Sequence, residues 1–148
     1  DLAVNIAERA VYLSRRDPLQ VSLDFPGMAK QVRDMLHRSL DALATENTTF
    51  AQEVLAMDDT VDAANRAVFV RLQELMYKSP ETIKRAVHLL SVSRHLERIG
   101  DLATNIAEEV ISKMANHIHQ KTKMKNLCIG GGVALNGVAN YKLLKEDI

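Results

Sequence analysis

The sequence predicts an all-α protein, an antiparallel three-helix bundle preceded by one further helix. Of the 148 residues, 47% are hydrophobic and 26% are charged, with three prolines, six glycines and no tryptophan. Ala, Leu, Met, Glu, Lys and Arg are plentiful, and these residues favour helices. Apolar residues also recur at intervals of three and four over long stretches, which is the pattern of amphipathic helices. Short connectors between long helices are typical of bundles.

Two helices are predicted in the first third of the chain. The first covers residues 1–16 and ends at Asp17, because the residue before a proline avoids the α region. Asp24 is placed as the N-cap of the second helix, with Pro26 in its first turn. The apolar spacing of the second helix continues to about Ala44.

Two longer helices follow. Thr48 or Thr49 is predicted to cap the third, which runs to about Tyr77. Ser79 is the predicted N-cap of the fourth, since Pro80 is well placed at a first helical position. The fourth helix is expected to end near residue 114, where the sequence becomes polar and basic.

Composition narrows the function classes. The 19 basic and 19 acidic side chains balance, so overall charge gives no argument for nucleic acid or an anionic membrane as a partner, and no nucleic-acid partner is expected. No apolar run approaches the roughly 20 residues that a membrane-spanning helix needs, so no membrane insertion is expected. Cys128 is the only cysteine and fits a reducing cytosol.

One stretch, Leu96–Ile111, carries polar side chains on one helix face. Its sequence is LERIGDLATNIAEEVI, and the face comprises Glu97, Asp101, Asn105 and Glu108. The opposite face is apolar and includes Leu102. The first ten residues, DLAVNIAERA, repeat the end of this pattern with Asp1, Asn5 and Glu8.

Pairs of carboxylates four residues apart are candidate metal ligands. Glu97 and Asp101 form one pair, and Asp58 and Asp62 form another on the preceding helix. Helix bundles hold metals with inward-facing carboxylates of this kind. The alternative is a solvated helix face on which local arginines, such as Arg94, neutralise the acids. The pair on the third helix borders its apolar stripe, so those acids are expected to be half-sheltered and to need a partner.

The histidines and the glycine run are the other features of the sequence that bear on chemistry. His37, His88, His95, His117 and His119 lack metal-ligand spacing, and we interpret all five as structural. No Ser/His/Asp or Cys/His arrangement is apparent. Gly130–Gly132 follows a short apolar run and precedes a helical pattern, which suits either a phosphate-binding turn or a plain strand-to-helix turn.

The repeated helix and the Asp58–Asp62 stretch, DDTVD, resemble the PhoU family of phosphate-signalling regulators over residues 1–112. In that family LERIGDxATNIAEEV closes each of two three-helix repeats. The resemblance implies the end of a first repeat at 1–17 and a complete repeat at 18–113. It also implies metal clusters, here iron, zinc, manganese or magnesium, held by Asp58, Asp62, Glu97 and Asp101, with Asp1 in an incomplete first cluster.

The same resemblance implies a cytoplasmic homodimer that is an adaptor and not an enzyme. Its implied partners are the ATPase of the phosphate ABC transporter and a phosphate sensor histidine kinase, and its implied role is negative regulation of the phosphate response. Because the chain begins with Asp inside a helix, we interpret it as a fragment. A helical interaction module without metal remains an alternative.

Residues 115–146 resemble instead the NodU-type carbamoyltransferases, which carry a similar NLC-x-x-GGVALN-x-VAN stretch. This resemblance implies nucleotide contacts from Gly131, Gly132 and Asn136, and an ATP-dependent carbamoyl-transfer fragment as a further alternative. The remainder of such an ATPase domain is absent from the sequence. We therefore expect residues 114–148 to be an incomplete strand–turn–helix segment that packs poorly.

Overall fold

The computed structural model describes residues 2–124 together with Tyr141 and Lys145. The strand and glycine turn predicted at residues 126–132 lie outside the described residues. Within the described part, the secondary structure is helical and contains no strand, which confirms the all-α class.

Four α-helices and one short 3-10 turn make up the described chain. They are α1 (Leu2–Ser14), α2 (Phe25–Thr45), α3 (Thr48–Lys78), the 3-10 turn Pro80–Thr82 and α4 (Ile83–Thr122). The predicted boundaries agree within a few residues for all but the end of α4. That helix continues to Thr122, past the end predicted near Met114, and Ala115 is buried. The prediction was wrong because polar and basic residues suit the solvated face of a helix as well as they suit a helix end.

The ends of α2 are closed by side-chain and backbone hydrogen bonds. Gly27 N–H donates to Oδ1 of Asp24 at 2.9 Å, which confirms Asp24 as the N-cap. At the other end, Glu46 adopts a left-handed conformation with φ of 51°. Asn47 N–H then donates to the carbonyl of Ala42 at 3.1 Å, the six-to-one bond of a Schellman motif.

The predicted cap of α3 was wrong, and Ser79 occupies the predicted N-cap position, but at the start of the 3-10 turn and without a side-chain bond. The cap of α3 is Asn47, whose Oδ1 accepts from Thr49 N–H at 2.9 Å and from Phe50 N–H at 3.4 Å. The Ser79 side chain makes no capping hydrogen bond. Its carbonyl instead accepts from the backbone N–H of Thr82 at 2.9 Å and from the Thr82 hydroxyl at 2.6 Å. The 3-10 turn is therefore closed by Thr82, a residue that helical periodicity does not single out.

The chain divides into two compact units. The first comprises Asp1–Arg33 and Thr60–Gly100. Its core is built on Val68, Leu72 and Ala86, and partly buried hydrophobic residues pack against it. These are Leu19, Val21, Leu23, Phe25, Leu75, Met76, Leu89 and Leu90. The connector between α1 and α2 thus supplies apolar side chains to this core.

Within the first unit, α3 and α4 form an antiparallel hairpin. Ser93 of α4 contacts Asn65 of α3. Leu72, which follows Asn65 by seven residues, packs in the same core as Ala86, which precedes Ser93 by seven residues, so the two helices run in opposite directions. The connector is tied to this hairpin by two arginines. Arg71 donates to the carbonyl of Ser22 at 2.6 Å, and Arg85 donates to that of Asp17 at 2.8 Å. These bonds satisfy backbone acceptors that no helix or strand would satisfy.

The second unit comprises Asp34–Asp59 and Asp101–Ile148. Its buried side chains are mostly small. Among the described residues of the unit they are Met35, Ser39, Ala42, Ala51, Val54, Ala103, Ala107, Glu108, Val110, Ile111, Ser112 and Ala115. Alanine and serine at helix contacts allow backbones to approach closely, so this unit is packed through small residues. Arg38 of α2 and Glu53 of α3 form an ion pair at its surface.

Candidate functional site

The carboxylates of α3 are half-buried, as the sequence predicts. Asp62 Oδ2 lies 3.4 Å from the guanidinium of Arg66, one turn further along the helix. The Asp62 side chain retains 38% of its exposure, so the pair is close to the surface and contributes modestly to stability. Asp58 is also half-buried and has an interaction partner. The partners expected for this pair are therefore present.

The carboxylates of α4 have a different environment. Glu97 is half-buried and Asp101 is exposed. The local arginine pairs considered for this face are not formed: within the described residues, no ion pair joins Glu97 or Asp101 to a basic side chain. The neutralised carboxylate is on α3 instead, because Arg66 lies at the favourable spacing of four residues from Asp62.

Glu97 lines a cleft in the first unit between α3 and α4. The cleft has a volume of about 690 Å³.

 The walls of the Glu97 cleft combine apolar and basic side chains. They are formed by Asn65, Arg66, Phe69, Val70, Val87, Leu90, Ser91, Arg94 and Glu97. Phe69, Val70 and Val87 are each about half exposed there.

A buried hydrogen bond lies beside this cleft. Ser93 is fully buried, and its hydroxyl donates to Oδ1 of Asn65 at 2.5 Å. The Ser93 oxygen also lies 3.8 Å from the sulfur of Met28 on α2. Ser93 therefore connects α2, α3 and α4 within the first unit. The sequence places Asn65 next to the α3 acids, but it offers no signal for Ser93.

The polar face of Leu96–Ile111 is not uniformly solvated. Asp101 and Asn105 are exposed, whereas Glu108 retains only 5% of its exposure and is engaged by a partner. Leu102, assigned to the apolar face, is 48% exposed. Near Glu108 the residues at 107, 108, 110, 111 and 112 are all buried, which amounts to an arc of about 200° at 100° per residue. The expected division into two faces was wrong here because other segments cover more than half of the helix.

The metal-ligand prediction stays a prediction. Asp1 lies outside the described residues. Among the residues that the structure does describe, no group of three or more His, Cys, Asp or Glu side chains could hold a metal ion. The carboxylate pairs of α3 and α4 therefore do not complete a metal centre with the described side chains alone.

A second cleft of the first unit, with a volume of about 670 Å³, is rich in basic residues. It lies where α1 ends and α4 begins. It is lined by Tyr12, Ser14, Arg15, Arg16, Asp17, Glu81, Lys84 and Arg85. The sequence reasoning missed this cluster, although the adjacent basic pairs at 15–16 and 84–85 were the available signal. Only the packing of α4 against α1 brings the two pairs together.

An aromatic stack borders the basic cleft. The rings of Tyr12 and His88 stack with centroids 3.6 Å apart and an interplanar angle of 26°. The guanidinium of Arg16 lies over the Tyr12 ring at 3.5 Å from its centroid, and it donates to the Tyr12 carbonyl at 2.6 Å. Burial lowers the pKa of His88, and the charges of Arg9 and Arg16 lower it further. The neutral imidazole is therefore the favoured form in this stack.

With this geometry established, comparison with known proteins places the chain in a family. Residues 25–110, more than half of the chain, match the family model for the PhoU domain. The chain belongs to the PhoU family. All four carboxylates of the α3 and α4 pairs lie inside the matched region. The PhoU resemblance read from the repeated helix is thus confirmed.

Several curated PhoU proteins are similar to the chain. A phosphate-specific transport system accessory protein PhoU homologue of Caulobacter vibrioides is 41% identical over 109 residues, which cover 73% of this chain and 47% of that protein. The Aquifex aeolicus homologue is 37% identical over 98 residues, covering 66% and 44%. The Zymomonas mobilis homologue is 32% identical over 133 residues, covering 89% and 56%. The chain spans about half the length of the curated relatives it matches.

The comparisons do not support the carbamoyltransferase resemblance of residues 115–146. Gly131, Gly132 and Asn136, the predicted nucleotide contacts, lie outside the described residues. For the residues that are described, no helix is both long enough and apolar enough to cross a membrane.

Proposed function

We propose that this PhoU-family chain is a regulatory accessory protein of phosphate uptake and of the phosphate-starvation response. The match of residues 25–110 to the PhoU domain carries the proposal. The similar proteins of Caulobacter, Aquifex and Zymomonas are all described as accessory proteins of phosphate-specific transport. In this proposal the chain is a cytoplasmic adaptor and not an enzyme. It contacts the ATPase of the phosphate ABC transporter and a phosphate sensor histidine kinase.

The cleft beside Glu97 supports an adaptor role. Its exposed side chains Phe69, Val70 and Val87 are apolar, and Arg66 and Arg94 border them. Aromatic and arginine side chains are enriched at protein interfaces, where they supply much of the binding energy. A surface of this composition suits contact with another protein.

Binding to the two partners tests the adaptor proposal. The purified chain is titrated onto the transporter ATPase and onto the cytoplasmic part of the sensor kinase by biolayer interferometry. We expect saturable binding to at least one of them, and at least about a tenfold loss for Phe69→Asp, because a charge placed in an apolar contact costs more than 1.4 kcal/mol. Tyr77→Asp is the matched control, since Tyr77 is 80% exposed on the same helix and does not line the cleft. Absence of binding to both partners would contradict the proposal.

We further propose that the carboxylate pairs Asp58/Asp62 and Glu97/Asp101 contribute to binding divalent or ferric ions. Each pair lies on one helix at a spacing of four residues, which lets both carboxylates approach one cation. Since the described side chains form no group of three ligands, additional ligands have to come from other residues or from a second copy of the chain. A homodimer, as the family resemblance implies, would supply such a copy.

Metal analysis tests this second part. Iron, zinc, manganese and magnesium are measured in the purified chain by mass spectrometry, and the molar mass is measured by light scattering. We expect bound metal that is lost in Asp58→Ala and in Glu97→Ala. Asp59→Ala is the control, because Asp59 is exposed and outside the spacing of the pairs. A metal-free protein, or equal metal content in all variants, would contradict the metal proposal. The chain would then be a helical interaction module without metal.

A further inference from the structure

The basic cleft at the end of α1 has an excess of positive charge. Its lining includes four basic side chains, Arg15, Arg16, Lys84 and Arg85, against two carboxylates, Asp17 and Glu81. The chain as a whole is neutral, so this concentration is local. In the part of the chain that the structure describes, none of the four basic groups forms an ion pair with a carboxylate. Their charge is therefore available to a ligand.

Two of the arginines are held in position by the protein itself. Arg16 donates to the Tyr12 carbonyl at 2.6 Å, and Arg85 donates to the Asp17 carbonyl at 2.8 Å. Each of these bonds uses one terminal nitrogen, and a guanidinium carries five N–H donors in a planar fork. The remaining N–H donors belong to guanidinium groups that are already held in place. This lowers the entropic cost of binding an oxyanion.

We propose that this cleft binds an inorganic oligophosphate. Arginine forks match phosphoryl oxygens, and four cations around one cleft suit a ligand with several negative charges. The volume of about 670 Å³ exceeds what a single phosphate fills and leaves room for a chain of two or three phosphoryl groups.

The aromatic stack argues against a nucleotide in the same place. His88 lies 3.6 Å from the Tyr12 ring centroid and Arg16 lies 3.5 Å from it. Two groups this close cannot share one face of the ring, so both faces are covered. Tyr12 then offers no surface on which a nucleobase could stack, and the recognition that remains is for the phosphoryl groups.

The site is independent of the accessory role proposed above, since it rests only on α1, the connector and the beginning of α4. Calorimetry on the purified chain tests it with inorganic tripolyphosphate at about 0.15 M salt, where surface charges are screened beyond about 8 Å. We expect saturable binding that is tighter than that of orthophosphate. The variant Arg15→Ala with Lys84→Ala should weaken the binding by about tenfold or more, because charge-assisted hydrogen bonds are lost. Both side chains are exposed, so folding should be unaffected.

The control is Lys30→Ala with Arg33→Ala, which removes the same charge from exposed positions on α2. This control should bind tripolyphosphate within about twofold of the unmodified chain, since neither Lys30 nor Arg33 lines the cleft and surface charges are screened at this salt concentration. Absence of saturable binding, or an equal loss in both double variants, would overturn the proposal. So would binding to phosphatidylglycerol vesicles without binding to tripolyphosphate, which would assign the cleft to a membrane surface.

Discussion

The hydroxyl of Ser93 donates to Oδ1 of Asn65 at 2.5 Å and thereby joins α4 to α3 in the first unit. Ser93 is fully buried, and Asn65 is half-buried at the edge of the Glu97 cleft. Neither helix alone would require this bond. It sets the register of the α3–α4 hairpin about one helical turn before Glu97.

Replacing Ser93 with alanine is expected to destabilise the fold. The substitution leaves a polar atom of Asn65 without its buried donor, which costs about 1–3 kcal/mol. The free energy of unfolding, measured by urea titration, should fall by this amount. Ser91→Ala is the control, because the Ser91 hydroxyl donates to the Val87 carbonyl of its own helix, and the loss of unfolding free energy should stay within about 0.5 kcal/mol. Equal effects of both substitutions would show that the interhelical bond is unimportant.

The corrected cap of α3 can be distinguished from the predicted ones by substitution. Asn47→Ala removes the acceptor used by Thr49 and Phe50, and the expected loss is about 0.5–2 kcal/mol in urea unfolding. Thr48→Ala should cost much less, since Thr48 makes no capping bond among those the structure describes. A larger loss for Thr48→Ala than for Asn47→Ala would restore the cap predicted from sequence.

Glycine in place of Glu46 should stabilise the chain. Glu46 has a φ of 51°, a conformation that costs a side-chain-bearing residue about 1 kcal/mol and glycine almost nothing. We expect the melting temperature to rise. Glu46→Ala is the control, because it removes the same carboxylate and keeps the Cβ atom; its stability should not rise in the same way. No difference between the two variants would mean that strain at this position is small.

His88 is expected to make stability depend on pH. Burial, then Arg9 and Arg16, hold the pKa of His88 below its ordinary value of about 6.5. As pH falls below that value, the unfolded chain binds a proton that the folded chain does not, so the folded state loses stability. Above it the imidazole is neutral in both states and the effect vanishes.

The free energy of unfolding should therefore fall for the unmodified chain as pH is lowered from about 7 through 6.5. His88→Gln should show a flatter profile over the same interval. His117→Gln, at an exposed position on α4, should keep the slope of the unmodified chain. Parallel profiles for His88→Gln and the unmodified chain would exclude His88 as the source.

Local sequence patterns predict the helices, a cap and the family of this protein, because each of these features depends on residues that are close together in the chain. The four helices, the N-cap of α2 at Asp24, the turn that begins at Pro80 and the PhoU family follow from apolar spacing, capping residues and the two similar stretches DLAVNIAE and DLATNIAE. The candidate acids on α3 were expected to be half-sheltered, and Asp62 and Asp58 are.

Tertiary structure decided what periodicity could not. Glu108 is buried and Leu102 is exposed because burial depends on which other segments cover a helix, and sequence spacing describes only the helix itself. Asn47, and not Thr48, caps α3 because the left-handed turn at Glu46 positions the Asn47 side chain. The bond between Ser93 and Asn65, and the meeting of the Arg15–Arg16 and Lys84–Arg85 pairs, join residues far apart in the chain. Such contacts exist only once the helices pack.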